Sequence, residues 1–158
     1  MPDLLVKLYQ LPDLQLSLGN LKSNGIEIRR AMPPEKSVVL EWVRQTFQTN
    51  SWVNECDVCF ANKPVSCFIA TLAEKIIGFA CYDATCKDFF GPMGVSESMR
   101  GKGIGRVLLL AGLHAMKEQG YAYTVIGSAG PVEFYAKECG ATVIEGSVPG
   151  IYRGMLSD

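Results

Sequence analysis

RGKGIGRVLLL, residues Arg100 to Leu110, sets three alternate glycines among basic residues and runs directly into an apolar stretch of helical period. Glycine weakens a helix start unless a left-handed turn or a close approach needs the bare backbone. Two familiar nucleotide loops can be tested against this spacing. A P-loop requires Gly-x-x-x-x-Gly-Lys-Ser/Thr, and no Gly-Lys-Ser/Thr occurs in the chain. A Gly-x-Gly-x-x-Gly dinucleotide loop counted from Gly101 needs glycine where Arg106 stands, and counted from Gly103 it needs glycine where Leu108 stands. The following stretch YAYTVIGSAG, Tyr121 to Gly130, also lacks the acidic residue that would hold a ribose. What remains is Arg-x-x-Gly-x-Gly, with Arg100, Gly103 and Gly105, ahead of a helix. The unpaired first-turn amides and the helix dipole favour an anion there, and Arg100, Lys102 and Arg106 add charge, so a pyrophosphate is the natural guest.

The flanking segments give an alternating α/β pattern. IEIRRA (Ile26 to Ala31) alternates as a strand, and PPEKSVVLEWVRQTF (Pro33 to Phe47) places apolar residues at helical spacing after two prolines. A second helix is expected over about Ser51 to Asn62, stopped by Lys63-Pro64. VSCFIATL and IIGFACYDA flank the short turn AEK as antiparallel strands. CKDFFGPMGV, Cys86 to Val95, is apolar but carries Gly91, Pro92 and Gly94; proline has no amide to donate, so this strand should bend or part from a neighbour. After the glycine loop come a helix, the strand YAYTVIG, a short helix in PVEFYAKECG, and the strands ATVIEGS and IYRGML. The first 25 residues read as an extension, with LLVKLY (Leu4 to Tyr9) a docked or edge strand and the leucines that follow straddling Pro12 and Gly19. The expected division is thus 1–25 as extension and 26–158 as the functional domain, a mixed sheet of about six or seven mostly antiparallel strands with helices on both faces.

The chain of 158 residues suits one core, with 48% hydrophobic and 20% charged residues. A formal charge of −1 gives no general attraction to nucleic acid or anionic membrane. No apolar run approaches the roughly 20 residues of a membrane span, and Asp3 stands where a signal peptide would carry positive charge, so a cytoplasmic location is expected. Of six cysteines, Cys56 and Cys59 have the spacing of half a zinc site. Neither Cys67 nor the single histidine, His114, belongs to a second such pair. Reduced, partly buried thiols and no metal are expected. His114, in mid-helix at the border of the apolar face, reads as structural.

Two stretches resemble one family. VSESMRGKGIGRVLLL (Val95 to Leu110) looks like motif A of the GNAT superfamily of acyl-coenzyme A N-acyltransferases, whose signature is Gln/Arg-x-x-Gly-x-Gly/Ala. VEFYAKECGA (Val132 to Ala141) resembles a later motif of that family. The resemblance runs in element order from about Ile26 to Leu156 and implies a GNAT-like fold in which the strand before the loop bulges and splays, admitting the pantetheine arm of coenzyme A. It implies backbone contacts from Met93 and Val95 to pantetheine, amides of Arg100, Gly101, Lys102, Gly103, Ile104, Gly105 and Arg106 around the pyrophosphate, and Tyr135 as cofactor contact and general acid. Asp88 is the one carboxylate of CKDFFGPMGV that could serve as base, with a water relay as the alternative. Where many relatives carry Asn after the strand YAYTVIG, this chain has Gly127-Ser128-Ala129-Gly130.

The resemblance thus implies acetyl transfer from acetyl-coenzyme A to a primary amine of a small molecule or peptide, with no nucleic-acid or membrane partner. A homodimer through sheet extension is compatible with the sequence. A non-catalytic acyl-coenzyme A sensor and an unrelated phosphate-ligand protein are the other readings. Trp42, Phe47, Trp52, Glu41 and Glu55, in the first two helices, are open to either an acceptor groove or the core.

Overall fold

The hairpin expected on either side of AEK anchors the architecture. The computed structural model describes residues 1–157, and in it β3 (Cys67–Leu72) and β4 (Lys75–Tyr82) pair antiparallel through a two-residue turn. Ala73 and Glu74 both take left-handed φ, as the tight primed turn of a hairpin requires. Around this pair the strands β1 (Leu4–Lys7), β2 (Ile26–Arg30), β5 (Phe89–Val95), β6 (Tyr123–Ile126) and β7 (Thr142–Val143) complete a seven-stranded sheet in the order β2-β3-β4-β5-β6-β1-β7. Every neighbouring pair is antiparallel except β5 and β6, so the expected mostly antiparallel α/β sheet is the one found.

Alternation along β3 and β4 divides the core between two faces. Ala70, Ala80 and Tyr82 point to one side, which also receives α1 (Gln15–Ser23) and α4 (Ile104–Glu118). Cys67, Ile69, Phe79 and Cys81 point to the other, which is covered by α2 (Lys36–Phe47) and α3 (Asn50–Cys59). The period of α4 explains its place: Ile104, Val107, Leu108, Ala111 and Ala115 are buried, and the helix is followed by Gly120 at positive φ. The eight-residue α5 (Val132–Cys139) buries Tyr135 and Cys139 against the α4 side. His114 binds the Pro12 carbonyl through Nε2 at 2.8 Å, a structural tie between α4 and the N-terminal segment. No helix among the described residues is long and apolar enough to cross a membrane.

Three local expectations are corrected. LPDLQLSLGNLKSNG is not loop: Leu14, Leu18 and Leu21 recur at helical spacing, and α1 forms through Gly19 by burying that stripe. IYRGML is not a strand but a turn of 3-10 helix at Gly150–Tyr152, because Gly150 and Gly154 both sit at positive φ and reverse the chain. ATVIEGS contributes only the two residues of β7.

β1 is an interior strand of the sheet. It lies between β6 and β7, with Leu4 opposite both Ile126 and Val143, and Leu4, Val6 and Leu8 are fully buried. The first 25 residues are therefore joined to the sheet on both sides of β1. Replacing Leu4 with alanine is expected to cost about 2–5 kcal/mol in chemical denaturation, the usual loss for truncating a buried leucine. A cost below about 1 kcal/mol would show that β1 is dispensable to the sheet.

Candidate functional site

The site begins where β5 and β6 part. Their parallel pairing involves only Phe89 with Val125 and Phe90 with Ile126. Beyond Phe90, Gly91 turns to φ +117° and Pro92 has no N–H, so the ladder stops. β5 continues against β4, where Met93, Gly94 and Val95 face Ala80, Phe79 and Gly78 after a register shift. Among the described residues, the opposite edge of β5 from Gly91 to Val95 therefore has no strand partner. Ser96 N–H bonds back to Ile77 in β4, while the Val95 carbonyl points away and accepts Arg100 Nε at 3.3 Å. The N–H and C=O of one residue share a side, and residues two apart share it again. Met93 and Val95 thus present backbone groups to the open edge.

The glycine loop closes one end of this opening. Gly101 and Gly103 lie at φ +77° and +81°, and Gly103 caps α4 in the left-handed conformation that a side chain would strain. The first helical bond of α4 runs from Val107 N–H to the Gly103 carbonyl, which leaves the amides of Ile104, Gly105 and Arg106 without backbone partners. A β-carbon built on Gly105 would lie 3.8 Å from Met93 Cε, Val95 Cγ2 and Phe134 Cζ, so this first turn abuts the free half of β5. Lys102 is exposed. The Arg106 side chain does not stand at the mouth: it pairs with Glu138 of α5 at 2.7 Å and donates to Ser17 of α1 at 2.8 Å. It fastens α4 to its neighbours and leaves only its amide to the loop.

Between the parted strands lies a cavity of about 500 Å³. Met93 and Pro92 of β5, Ser128 beyond β6, Tyr135 of α5, and Trp52 and Glu55 of α3 line it. The Tyr135 hydroxyl makes no hydrogen bond among the described residues, and burial, with Cys139 as a lesser influence, pushes it up to about 12. Glu55 accepts a hydrogen bond from Thr85 Oγ1 at 2.6 Å. Burial holds its carboxyl above the ordinary range, and the Thr85 bond partly offsets that rise. Glu55, Thr85, Ser51 and Tyr152 also border a second, adjoining cavity of about 780 Å³, so they form the wall between the two. Burial raises Tyr152 to about 12, and the nearby Asp3 and Glu55 add to the rise.

Asp88, the expected base, does not line either cavity. It precedes β5 at the end remote from the glycine loop, with its amide bound to Asp83 and its carbonyl accepting from Val125 and Thr124. One carboxylate oxygen is buried without a partner, and burial raises its pKa. Of the aromatic and acidic residues left open between groove and core, Trp42 and Phe47 make edge and tilted ring contacts with Phe79 in the core, and Trp52 packs on Phe47 and Phe79 while also lining the cavity. Glu41 faces outward and pairs with Arg44.

The N-terminal segment contributes what sequence reading missed. Met1 lines the first cavity, and the buried Asp3 accepts the Ser128 amide through Oδ1 at 2.7 Å, fixing the Gly127–Gly130 turn at the cavity wall. These residues are 125 positions apart, and only the pairing of β1 with β6 brings them together. Asp3→Ala is expected to lower stability by about 1–3 kcal/mol by leaving the Ser128 amide unpaired, and to speed hydrogen exchange there. Unchanged exchange at Ser128 would contradict this role.

The acetyltransferase (GNAT) family model matches residues 28–141. In fold, the chain is similar to the GCN5-related glucosamine N-acetyltransferase region of a fungal multi-domain GH3 β-N-acetylglucosaminidase, with TM-score 0.73 and 13% identity over 90% of this chain and 19% of that one. It is likewise similar to a GCN5-related N-acetyltransferase from Sphaerobacter thermophilus, with TM-score 0.62 and 17% identity over 90% of this chain and 48% of that one. A GCN5-related N-acetyltransferase from Kribbella flavida gives TM-score 0.60 and 16% identity over 90% of this chain and 53% of that one. The chain thus spans from about a fifth to about half of these longer proteins. No curated protein matches its sequence significantly.

Proposed function

The chain belongs to the acetyltransferase (GNAT) family, and from that premise we propose that it transfers the acetyl group of acetyl-coenzyme A to a primary amine of a small molecule or peptide. The observation that carries this reading is the cavity between β5 and β6, which has an unpaired strand edge, the free amides of a helix start beside it, and Tyr135 and Glu55 in its lining. In this reading the amides of Ile104, Gly105 and Arg106 and the loop backbone from Arg100 to Gly103 hold the pyrophosphate. Backbone groups of Met93 and Val95 hold the pantetheine amides as an added strand would. Acceptor amines enter from the second cavity, past Glu55.

Each chemical task then has a residue. An amine arrives as an ammonium ion and must lose a proton before it can attack. The Glu55 carboxylate, raised by burial, is better matched to that removal than an ordinary surface carboxylate. The Met93 N–H, on the open edge and in the cavity lining, faces the oxygen that becomes negative as the nitrogen adds to the thioester carbon, while the Met93 carbonyl and the Val95 N–H hold the pantetheine. As the carbon–sulfur bond breaks, the Tyr135 hydroxyl gives its proton to the sulfur and recovers one from the new amide nitrogen. With its pKa near 12, Tyr135 holds its proton throughout the ordinary working range.

Tyr135→Phe is expected to reduce kcat by about 10²-fold or more, the usual worth of a positioned acid, with coenzyme A affinity unchanged. An unaltered kcat would remove Tyr135 from the mechanism. Thr85→Val removes a bond that favours the ionised Glu55, so the carboxyl pKa rises further and the acidic limb of the kcat/KM profile should move to higher pH. A limb that stays in place, or moves to lower pH, would rule out Glu55 as the base. The overall reading is tested by amine-dependent release of thiol from acetyl-coenzyme A across a panel of amines. Saturable binding without thiol release would instead support a non-catalytic acyl-coenzyme A sensor.

A further inference from the structure

Four of the six cysteines converge outside the cavity, on the other side of α3. Cys56 and Cys59 stand one turn apart on α3, while Cys67 and Cys81 are directly opposed across the β3–β4 pair. All four are fully buried and unoxidised; of the other two, Cys86 is exposed and Cys139 lies on α5. The sulfurs of Cys56, Cys67 and Cys81 all lie within 4.8 Å of one another, with Cys56 and Cys67 at 3.9 Å. Cys59 borders this triangle beside Cys81. Its S–H lies 3.6 Å from the Glu55 carbonyl and 3.8 Å from the Tyr82 carbonyl.

Sulfurs bound to one zinc ion at about 2.3 Å are separated by about 3.8 Å in a tetrahedron and about 4.0 Å in a trigonal plane. The triangle reaches that size by contracting about 1 Å or less along its longer edges. The buried cluster around these sulfurs is apolar, with Val43, Val53 and Phe79, and among the described residues no carboxylate or imidazole joins the group to suit a harder ion. We infer that Cys56, Cys67 and Cys81, with Cys59 as the fourth sulfur, form a thiolate site for one soft d10 cation of the Zn²⁺ or Cu⁺ kind. Each ligating thiol releases its proton to solvent as its metal–sulfur bond forms, with no change in oxidation state.

Because the sulfurs are sealed in the core, the ion enters as the chain folds, and its binding adds to folding stability. It would join α3 to the β3–β4 hairpin. That helix also presents Ser51, Trp52 and Glu55 to the cavity, but the site stands on its own geometry whatever the cavity does.

The test uses the full chain, unfolded under reducing conditions and refolded with Zn²⁺, Cd²⁺ or Cu⁺ as the sole added metal. One equivalent should remain after desalting, the Cd²⁺ form should show thiolate-to-metal charge-transfer absorption, and competition between Zn²⁺ and Cu⁺ identifies the preferred ion. Cys86→Ser should retain the full equivalent, while Cys81→Ala should weaken binding by at least about tenfold. Should Cys81→Ala fail to fold, the stoichiometry of the unaltered chain decides. Retention below about 0.1 equivalent with all three metals, with the same Tm with and without metal, would overturn the inference. So would a disulfide among these four cysteines in place of bound metal, seen as a mass lower by two hydrogens.

Discussion

The loss of pairing between β5 and β6 after Phe90 is the constraint on which the rest depends. Two parallel strands that stayed bonded would seal the sheet and leave no internal opening. Gly91 and Pro92 end the ladder through backbone conformation and a missing donor, so no bulky wedge is needed. The open edge must nevertheless be held open without collapse. The core beneath it does this, with Phe90 nearly fully buried on the α4 side and Phe47 against Gly94 on the other, where a β-carbon would run into the ring. The glycines of β5 thus divide their tasks: Gly91 bends the strand, and Gly94 admits an aromatic ring beside it.

Electrostatics around the opening are local. Among the loop cations, Arg100 turns back to the Val95 carbonyl and Arg106 is spent on Glu138, so the helix-start amides supply the directed donors for an anion. On the opposite wall, burial shifts Tyr135, Tyr152 and Glu55 in the same chemical sense, favouring their protonated forms.

Much of this was legible in the sequence, because its signals were local. The glycine spacing at Arg100 to Gly105, the period of α4, the proline in β5 and the turn between β3 and β4 each act over a few residues. Reading failed where a position is set by distant pairing. Leu4 to Lys7 reads like any short strand, and nothing in those residues says that they insert between β6 and β7. Cys67 and Cys81 look unrelated until the hairpin register sets them face to face beside α3. Asp88 lies on the segment that carries β5, but at the end remote from the glycine loop and outside the lining of both cavities. α1 was hidden by Gly19, whose cost to a helix of about 1 kcal/mol is outweighed by the buried leucine stripe.

The insertion of β1 also orders events in time. β2 to β5, with α2 and α3, are continuous in sequence and can assemble from neighbours as the chain emerges. β1 is made first but finds neither partner until β6 and β7 exist, and Asp3 waits 125 residues for the Ser128 amide. Until then its apolar residues are an unpaired segment, and the cavity lacks a wall. Closing the sheet through β1 is therefore also what brings Met1 and Asp3 to the cavity wall.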